Sequence, residues 1–181
     1  MNILTNLNQI NMKSSVFSQR NIIAVIIFSV VSTAMGLVKI PGPAGSIALD
    51  SAPAFFAALF FSPIVGAIVG FVGHIGSAAT AGFPFGGLHI YVAFEMFLWV
   101  IMFGYLAKIK KTVPVLIISG ILAAIMNGVL GPLILTITPI FNLEYSIAKG
   151  LIPFLLFAAA VNIALAIVSF VLIVKTKISN L

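Results

Sequence analysis

The chain has 181 residues, of which 62% are hydrophobic and only 7% are charged, and its mean hydropathy is +1.29. Because a soluble domain carries roughly 25% charged residues, this composition excludes a soluble globular domain and indicates a multi-pass membrane protein. The net charge of +6 does not indicate nucleic-acid binding, since the basic residues cluster at the ends of apolar segments. The lack of cysteine excludes disulfides and thiolate metal sites.

The chain divides into a polar lead-in, residues 1–20, and a transmembrane domain, residues 21–177. A signal peptide with Ile22–Val38 as its apolar core is the alternative for the first segment. That segment is long for such a core, and the rest of the chain is predicted to stay in the membrane.

Six apolar segments follow in chain order, and each is predicted to be a membrane-crossing helix. They are Asn21–Val38, Ala48–Phe61, Ile64–Ala81, Leu88–Ala107, Val113–Ile137 and Gly150–Val174. A crossing takes about 20 apolar residues, so the second segment is short. The predicted fold class is therefore an all-α integral membrane protein with six transmembrane helices.

The distribution of positive charge decides the topology. With six crossings, seven of the nine basic residues lie on one side of the membrane, and only Lys39 and Lys149 lie on the other. The positive-inside rule makes the side with seven cytoplasmic, together with both termini. If residues 48–81 crossed only once, the cluster at Lys108–Lys111 would face outward and the asymmetry would be lost.

Glu95 is the one charged residue within the stretch Leu88–Ala107. A carboxylate inside a bilayer costs about 2.5–3.5 kcal/mol on insertion scales, so such residues usually face a cavity or a partner. Tyr91, Glu95 and Trp99 are spaced by four residues and therefore share one helix face. We expect this face to line a site for a small, ring-containing polar ligand; simple pairing of Glu95 with His74 is the alternative.

The other polar residues of the outer half complete the predicted site. His74 and Glu95 each lie seven residues inside an outer helix end, which is roughly 10 Å. The predicted ligand-binding residues are Glu95, Tyr91, Trp99, His74, Asn127 and His89. We expect Asn162 to tie helices together and Asp50, near the outer surface, to cap the second helix. No motif predicts a cofactor, a metal or ATP binding, because no P-loop and no H-E-x-x-H is present.

Small residues suggest two close helix contacts. Gly66-x-x-x-Gly70 predicts a close approach of a neighbouring helix to the third segment. In the first segment, Ala24, Ser32 and Gly36 form a stripe of small residues. This stripe predicts a docking face for a partner protein, with internal packing as an equal alternative.

The chain resembles the S components, the substrate-binding subunits of energy-coupling factor (ECF) transporters. The most specific stretch is Ile47–Gly70, in which Pro53 opens one helix and Pro63-Ile64-Val65-Gly66 opens the next. The stripe of Ala24, Ser32 and Gly36 also resembles the family's contact with its coupling subunit. The chain departs from the family's pattern at Ser62, where glycine is usual, and at Phe28 within the stripe.

The resemblance implies a non-catalytic subunit in a prokaryotic plasma membrane. Such a subunit binds a vitamin or vitamin precursor in an outward pocket and delivers it inward by toppling. It works with a transmembrane coupling subunit and two ATPase subunits. The segment from Gly82 to Trp99 looks most like S components for cobamide precursors of the α-ribazole type. A thiamin precursor or pantothenate, an intramembrane enzyme using Glu95 and His74, and a purely structural partner are the alternatives.

Overall fold

The computed structural model describes residues 18–42, 45–84, 86–110, 112–138 and 144–179. Most of the predicted lead-in, residues 1–17, lies outside the described residues, as do residues 139–143 of the last predicted outer loop.

The described chain is helical, with one short hairpin. The helices are α1 (Gln19–Met35), α2 (Ala52–Phe60), α3 (Pro63–Thr80), α4 (Leu88–Ile109), α5 (Val113–Ile125), α6 (Gly131–Ile137) and α7 (Tyr145–Ser179). A π-helical turn, Met126–Leu130, joins α5 to α6, so the predicted fifth segment is one continuous helical stretch. Strands β1 (Lys39–Gly42) and β2 (Gly45–Ala48) pair antiparallel between α1 and α2, where the sequence predicted only a loop.

The helices differ in whether they are long enough to cross a membrane. In the described part of the chain, four stretches are long and apolar enough: Pro63–Thr80, Leu88–Ile109, Val113–Ile137 and Tyr145–Thr176. α1 is apolar but has 17 residues. α2 has nine residues, which is about 14 Å of helix against roughly 30 Å of hydrocarbon. The protein is therefore a multi-pass membrane protein, and the count of six crossings stays a prediction.

α2 and α3 form an antiparallel pair held together by small residues. A Cβ atom added to Gly66 would lie 2.5 Å from the Cβ of Ala58, and one added to Gly70 would lie 3.5 Å from the Cβ of Ala54. The predicted close approach at Gly66 and Gly70 is thus confirmed. Ser62, the departure from the family's pattern, is the N-cap of α3: its hydroxyl accepts a hydrogen bond from the backbone N–H of Val65, at 3.1 Å.

α1 directs its small residues inward and its large aliphatic residues outward. Ala24 is 4% exposed and Ser32 is 1% exposed, and Gly36 lies against Ser77 of α3. The exposed positions of α1 include Ile22, Ile23, Ile26, Ile27, Val30 and Val31. Because close helix packing in lipid favours small side chains, the stripe of Ala24, Ser32 and Gly36 serves internal packing. A docking role of the same residues towards a partner protein stays a prediction.

Contacts at one end of the bundle join α1, α2 and α4. The guanidinium of Arg20 lies over the ring of Phe61, 5.3 Å from its centroid. The ammonium of Lys108 donates a hydrogen bond to the carbonyl of Phe61, at 3.4 Å. The start of α1, the end of α2 and the end of α4 therefore meet at one end, as the predicted topology requires of these three positions.

Candidate functional site

α4 carries an aromatic–acid–aromatic face that points into the bundle. Glu95 is 6% exposed and Trp99 is 8% exposed, and Tyr91, one turn before Glu95, is partly buried. The side chains of Tyr91 and Glu95 are hydrogen-bond partners, with the phenol as the donor to the carboxylate. The three residues that were predicted to share a face therefore do so.

The carboxylate of Glu95 lies directly against the backbone of α6. A Cβ atom added to Gly131 would lie 3.0 Å from Oε2 and 3.2 Å from Oε1 of Glu95. A methyl group at this point would therefore require the carboxylate to shift by a few tenths of an ångström. Gly131 follows the π-helical turn that contains Asn127, which is partly buried. Turns of this kind occur mostly inside α-helices, and they are frequent at functional sites.

Two polar atoms on this face of α4 are buried without a hydrogen-bond partner among the described residues. They are Oε1 of Glu95, which is an acceptor, and Nε1 of Trp99, which is a donor. An unsatisfied buried polar group costs about 1–3 kcal/mol, and a charged group costs more. The hydroxyl of Ser29 on α1 is the third such atom. An acceptor and a donor one turn apart are suited to hold a polar ligand.

A second polar group lies near the start of α2 and contains His74 and His89. Nε2 of His74 lies 3.2 Å from Nδ1 of His89, and Nδ1 of His74 lies 3.5 Å from Oδ2 of Asp50. The ring of Phe83 packs edge-on against His89, with the centroids 5.9 Å apart. Among the described residues, His74 places its two ring nitrogens against Asp50 and His89 and acts on Glu95 only electrostatically, without a direct contact.

The expectation that Asp50 caps α2 is wrong. Ser51 occupies the N-cap position, and the carboxylate of Asp50 turns towards His74 of α3 instead. The side chain of Asp50 is 13% exposed, so it is partly buried. The backbone carbonyl of Asp50 also accepts a hydrogen bond from the hydroxyl of Ser32 on α1.

Asn162 of α7 holds the connection between the hairpin and α2. Its Oδ1 accepts a hydrogen bond from the N–H of Ala52 at 2.9 Å, and its Nδ2 donates to the carbonyl of Ala48 at 3.0 Å and to that of Ala158 at 2.9 Å. The expectation that Asn162 ties helices together is confirmed. These bonds fix the short segment that carries Asp50.

Sequence reasoning found the acid and the aromatic residues but missed Gly131. The available signal was the dipeptide Gly131-Pro132 inside an apolar helical stretch, which marks a possible irregularity in the helix. Asn127 belongs to the π-helical turn, which contacts α4. His89 belongs to the second polar group. Among the described residues, no cluster of three or more His, Asp or Glu is arranged to hold a metal ion.

Comparisons with known proteins agree at the level of the fold. Neither the protein-family models nor the curated proteins give a match. A solved structure of the S component of a bacterial ECF transporter is similar to this chain, with a TM-score of 0.67 and 21% sequence identity. The similarity covers 89% of this chain and 96% of the other. The chain therefore has the fold of an S component, as the resemblance in Ile47–Gly70 implied.

Proposed function

We propose that this protein is the binding subunit for uptake of a vitamin or vitamin precursor across a prokaryotic plasma membrane. The observation that carries the proposal is the similarity to an S component along nearly the full length of both chains. In this role the protein captures its ligand from outside. It then delivers the ligand inward with a transmembrane coupling subunit and two ATPase subunits.

The buried face of α4 supports a binding role. Glu95 is an acid that the protein keeps at 6% exposure with one oxygen unpaired, which is costly unless a ligand uses that oxygen. Tyr91 and Trp99 provide aromatic surface on the same face. An intramembrane enzyme would need a base beside this acid, and the nearest candidate, His74, contacts Asp50 and His89 instead.

The finer part of the proposal concerns the ligand. α-Ribazole, or a related cobamide precursor, suits an aromatic face with an acid that accepts hydrogen bonds from ribose hydroxyls. A thiamin precursor and pantothenate are the other candidates. An anionic ligand such as pantothenate is disfavoured by the carboxylate of Glu95.

The test uses the full chain, purified alone in detergent. Native mass spectrometry detects any ligand that is retained, and calorimetric titration measures binding of α-ribazole, thiamin and pantothenate. We expect tight binding of one of them without turnover. A Leu98→Ala variant is the matched control, since Leu98 lies on α4 but is 52% exposed on its outer face. Turnover of the added ligand would favour an enzyme, and protein that stays empty and binds no vitamin would favour a structural partner.

A further inference from the structure

We infer that the ligand is an uncharged or cationic nitrogen heterocycle that donates one hydrogen bond to Oε1 of Glu95 and accepts another from Nε1 of Trp99. The inference rests on the proposed function and narrows its substrate class. The observation behind it is that these are the two unpaired, buried polar atoms on α4, and that each side chain is more than nine-tenths buried.

The two atoms differ in what they require of a ligand. The indole N–H of Trp99 can only donate a hydrogen bond, and a carboxylate oxygen of Glu95 accepts one. A ligand that satisfies both must therefore carry a donor and an acceptor. A ligand with only one of these leaves a buried group unpaired and therefore binds less tightly. This difference in affinity makes such sites specific.

The spacing of the two residues is compatible with one ring that bridges them. Four residues of helix correspond to a rise of about 6 Å, which a ring that donates and accepts on opposite sides can span, since each hydrogen bond adds about 3 Å. Tyr91 lies one turn before Glu95 and engages its carboxylate, and Gly131 lies across from that carboxylate. A ligand that reaches both unpaired atoms therefore lies along α4, between Glu95 and Trp99.

The charges around the site disfavour an anion. A second negative charge beside a buried carboxylate is repelled strongly, because screening is weak in a low-dielectric interior. His74 acts on Glu95 electrostatically, but its ring nitrogens face Asp50 and His89. Lys108 lies about 20 Å further along α4 and bonds to the carbonyl of Phe61. A neutral or cationic donor facing Glu95 meets no such penalty.

Three small probes separate the two hydrogen bonds. Benzimidazole carries both a ring N–H donor and a ring nitrogen acceptor, 1-methylbenzimidazole keeps only the acceptor, and indole keeps only the donor. Calorimetry on the full chain in detergent measures their affinities. We expect benzimidazole to bind about tenfold more tightly than either analogue, since one unpaired buried group costs roughly that factor.

Variants assign each preference to its residue. Trp99→Phe keeps an aromatic ring but removes the N–H. We expect this variant to bind benzimidazole and indole equally well, and to keep its preference for benzimidazole over 1-methylbenzimidazole. We expect Glu95→Leu to bind benzimidazole and 1-methylbenzimidazole equally well, and to keep its preference for benzimidazole over indole. Leu98→Ala is the control and keeps both preferences. A residue that acts only through packing would weaken all three probes together, so this crossed pattern is specific to direct contacts.

The outcomes distinguish the two proposals. In α-ribazole the ribose replaces the ring N–H, and a ribose hydroxyl would be the donor to Glu95. Equal affinities for the three probes together with unchanged α-ribazole affinity in both variants, or tight pantothenate binding that survives in both variants, would overturn the inferred ligand class while leaving the uptake function intact. If the wild-type protein binds another vitamin but not benzimidazole, the same variants are titrated with that vitamin, and unchanged affinity in both overturns the inference. If the wild-type protein binds no vitamin and none of the probes, both proposals fail.

Discussion

Replacing Asn162 with alanine is expected to destabilise the protein by removing the bonds that hold the start of α2. The N–H of Ala52 would lose its acceptor, and Ala52 is 5% exposed, so an unsatisfied donor there costs about 1–3 kcal/mol. The carbonyl of Ala48 would lose a bond worth about 0.5–1.5 kcal/mol. The carbonyl of Ala158 lies inside α7, where backbone hydrogen bonds satisfy it, so we assign no cost to the loss of its bond to Asn162. The sum is about 1.5–4.5 kcal/mol.

That loss converts to a measurable change in Tm. For a chain of this size, 1 kcal/mol corresponds to roughly 2–4 °C, so we expect a decrease in Tm of about 3–18 °C. The assay is the intrinsic fluorescence of Trp99 during heating in detergent, which is unambiguous because the chain has one tryptophan. The signal reports directly on the face of α4.

Two further variants isolate the hydrogen bonds from the volume that alanine removes. Asn162→Leu fills a similar volume without any hydrogen bonds and is expected to be destabilised to a similar degree. Leu165→Ala, at a position of α7 that is 40% exposed, should change Tm little. A decrease below about 2 °C in both Asn162 variants, less than 1 kcal/mol, would show that the amide does not hold the segment at Ala48–Ala52.

Three other substitutions test the site and the packing. Glu95→Gln should weaken ligand binding by about 1.5–3 kcal/mol in calorimetry, and the exposed Glu144→Gln should not; equal affinity of the Glu95 variant would remove Glu95 from the site. Gly131→Ala places a methyl group 3.0 Å from the carboxylate of Glu95 and should weaken binding several-fold, whereas Gly150→Ala, which has open space, should leave the affinity unchanged. Gly36→Leu should lower the Tm of the isolated protein because its side chain would meet Ser77; an unchanged Tm, with loss of assembly with the proposed coupling subunit, would support the docking prediction instead.

Much of the helical framework could be read from the sequence because its determinants are local. A run of apolar residues has to satisfy its backbone within one helix when it lies in lipid, so segment bounds follow from hydropathy and from breakers such as Pro63. The predicted start of the fourth segment and the start of α4 are both Leu88. The shared face of Tyr91, Glu95 and Trp99 follows from helical periodicity alone.

The partners of the polar residues could not be read from the sequence, since each partner comes from a distant part of the chain. Asp50 was expected to cap α2, yet the antiparallel packing of α2 on α3 brings it to His74. The stripe of Ala24, Ser32 and Gly36 has the composition of a contact surface. Only the position of α3 shows that the contact is internal.

The sequence by itself therefore determined that this is an all-α membrane protein with one costly acid on an aromatic helix face, because composition and periodicity act along a single segment. The tertiary structure decided what that acid faces. The π-helical turn brings Gly131, from a helix that follows in the chain, against the carboxylate of Glu95, and leaves Oε1 and the indole N–H of Trp99 unpaired. That arrangement depends on how α4 and α6 pack, and helix packing is set by side-chain shape across elements rather than by hydropathy.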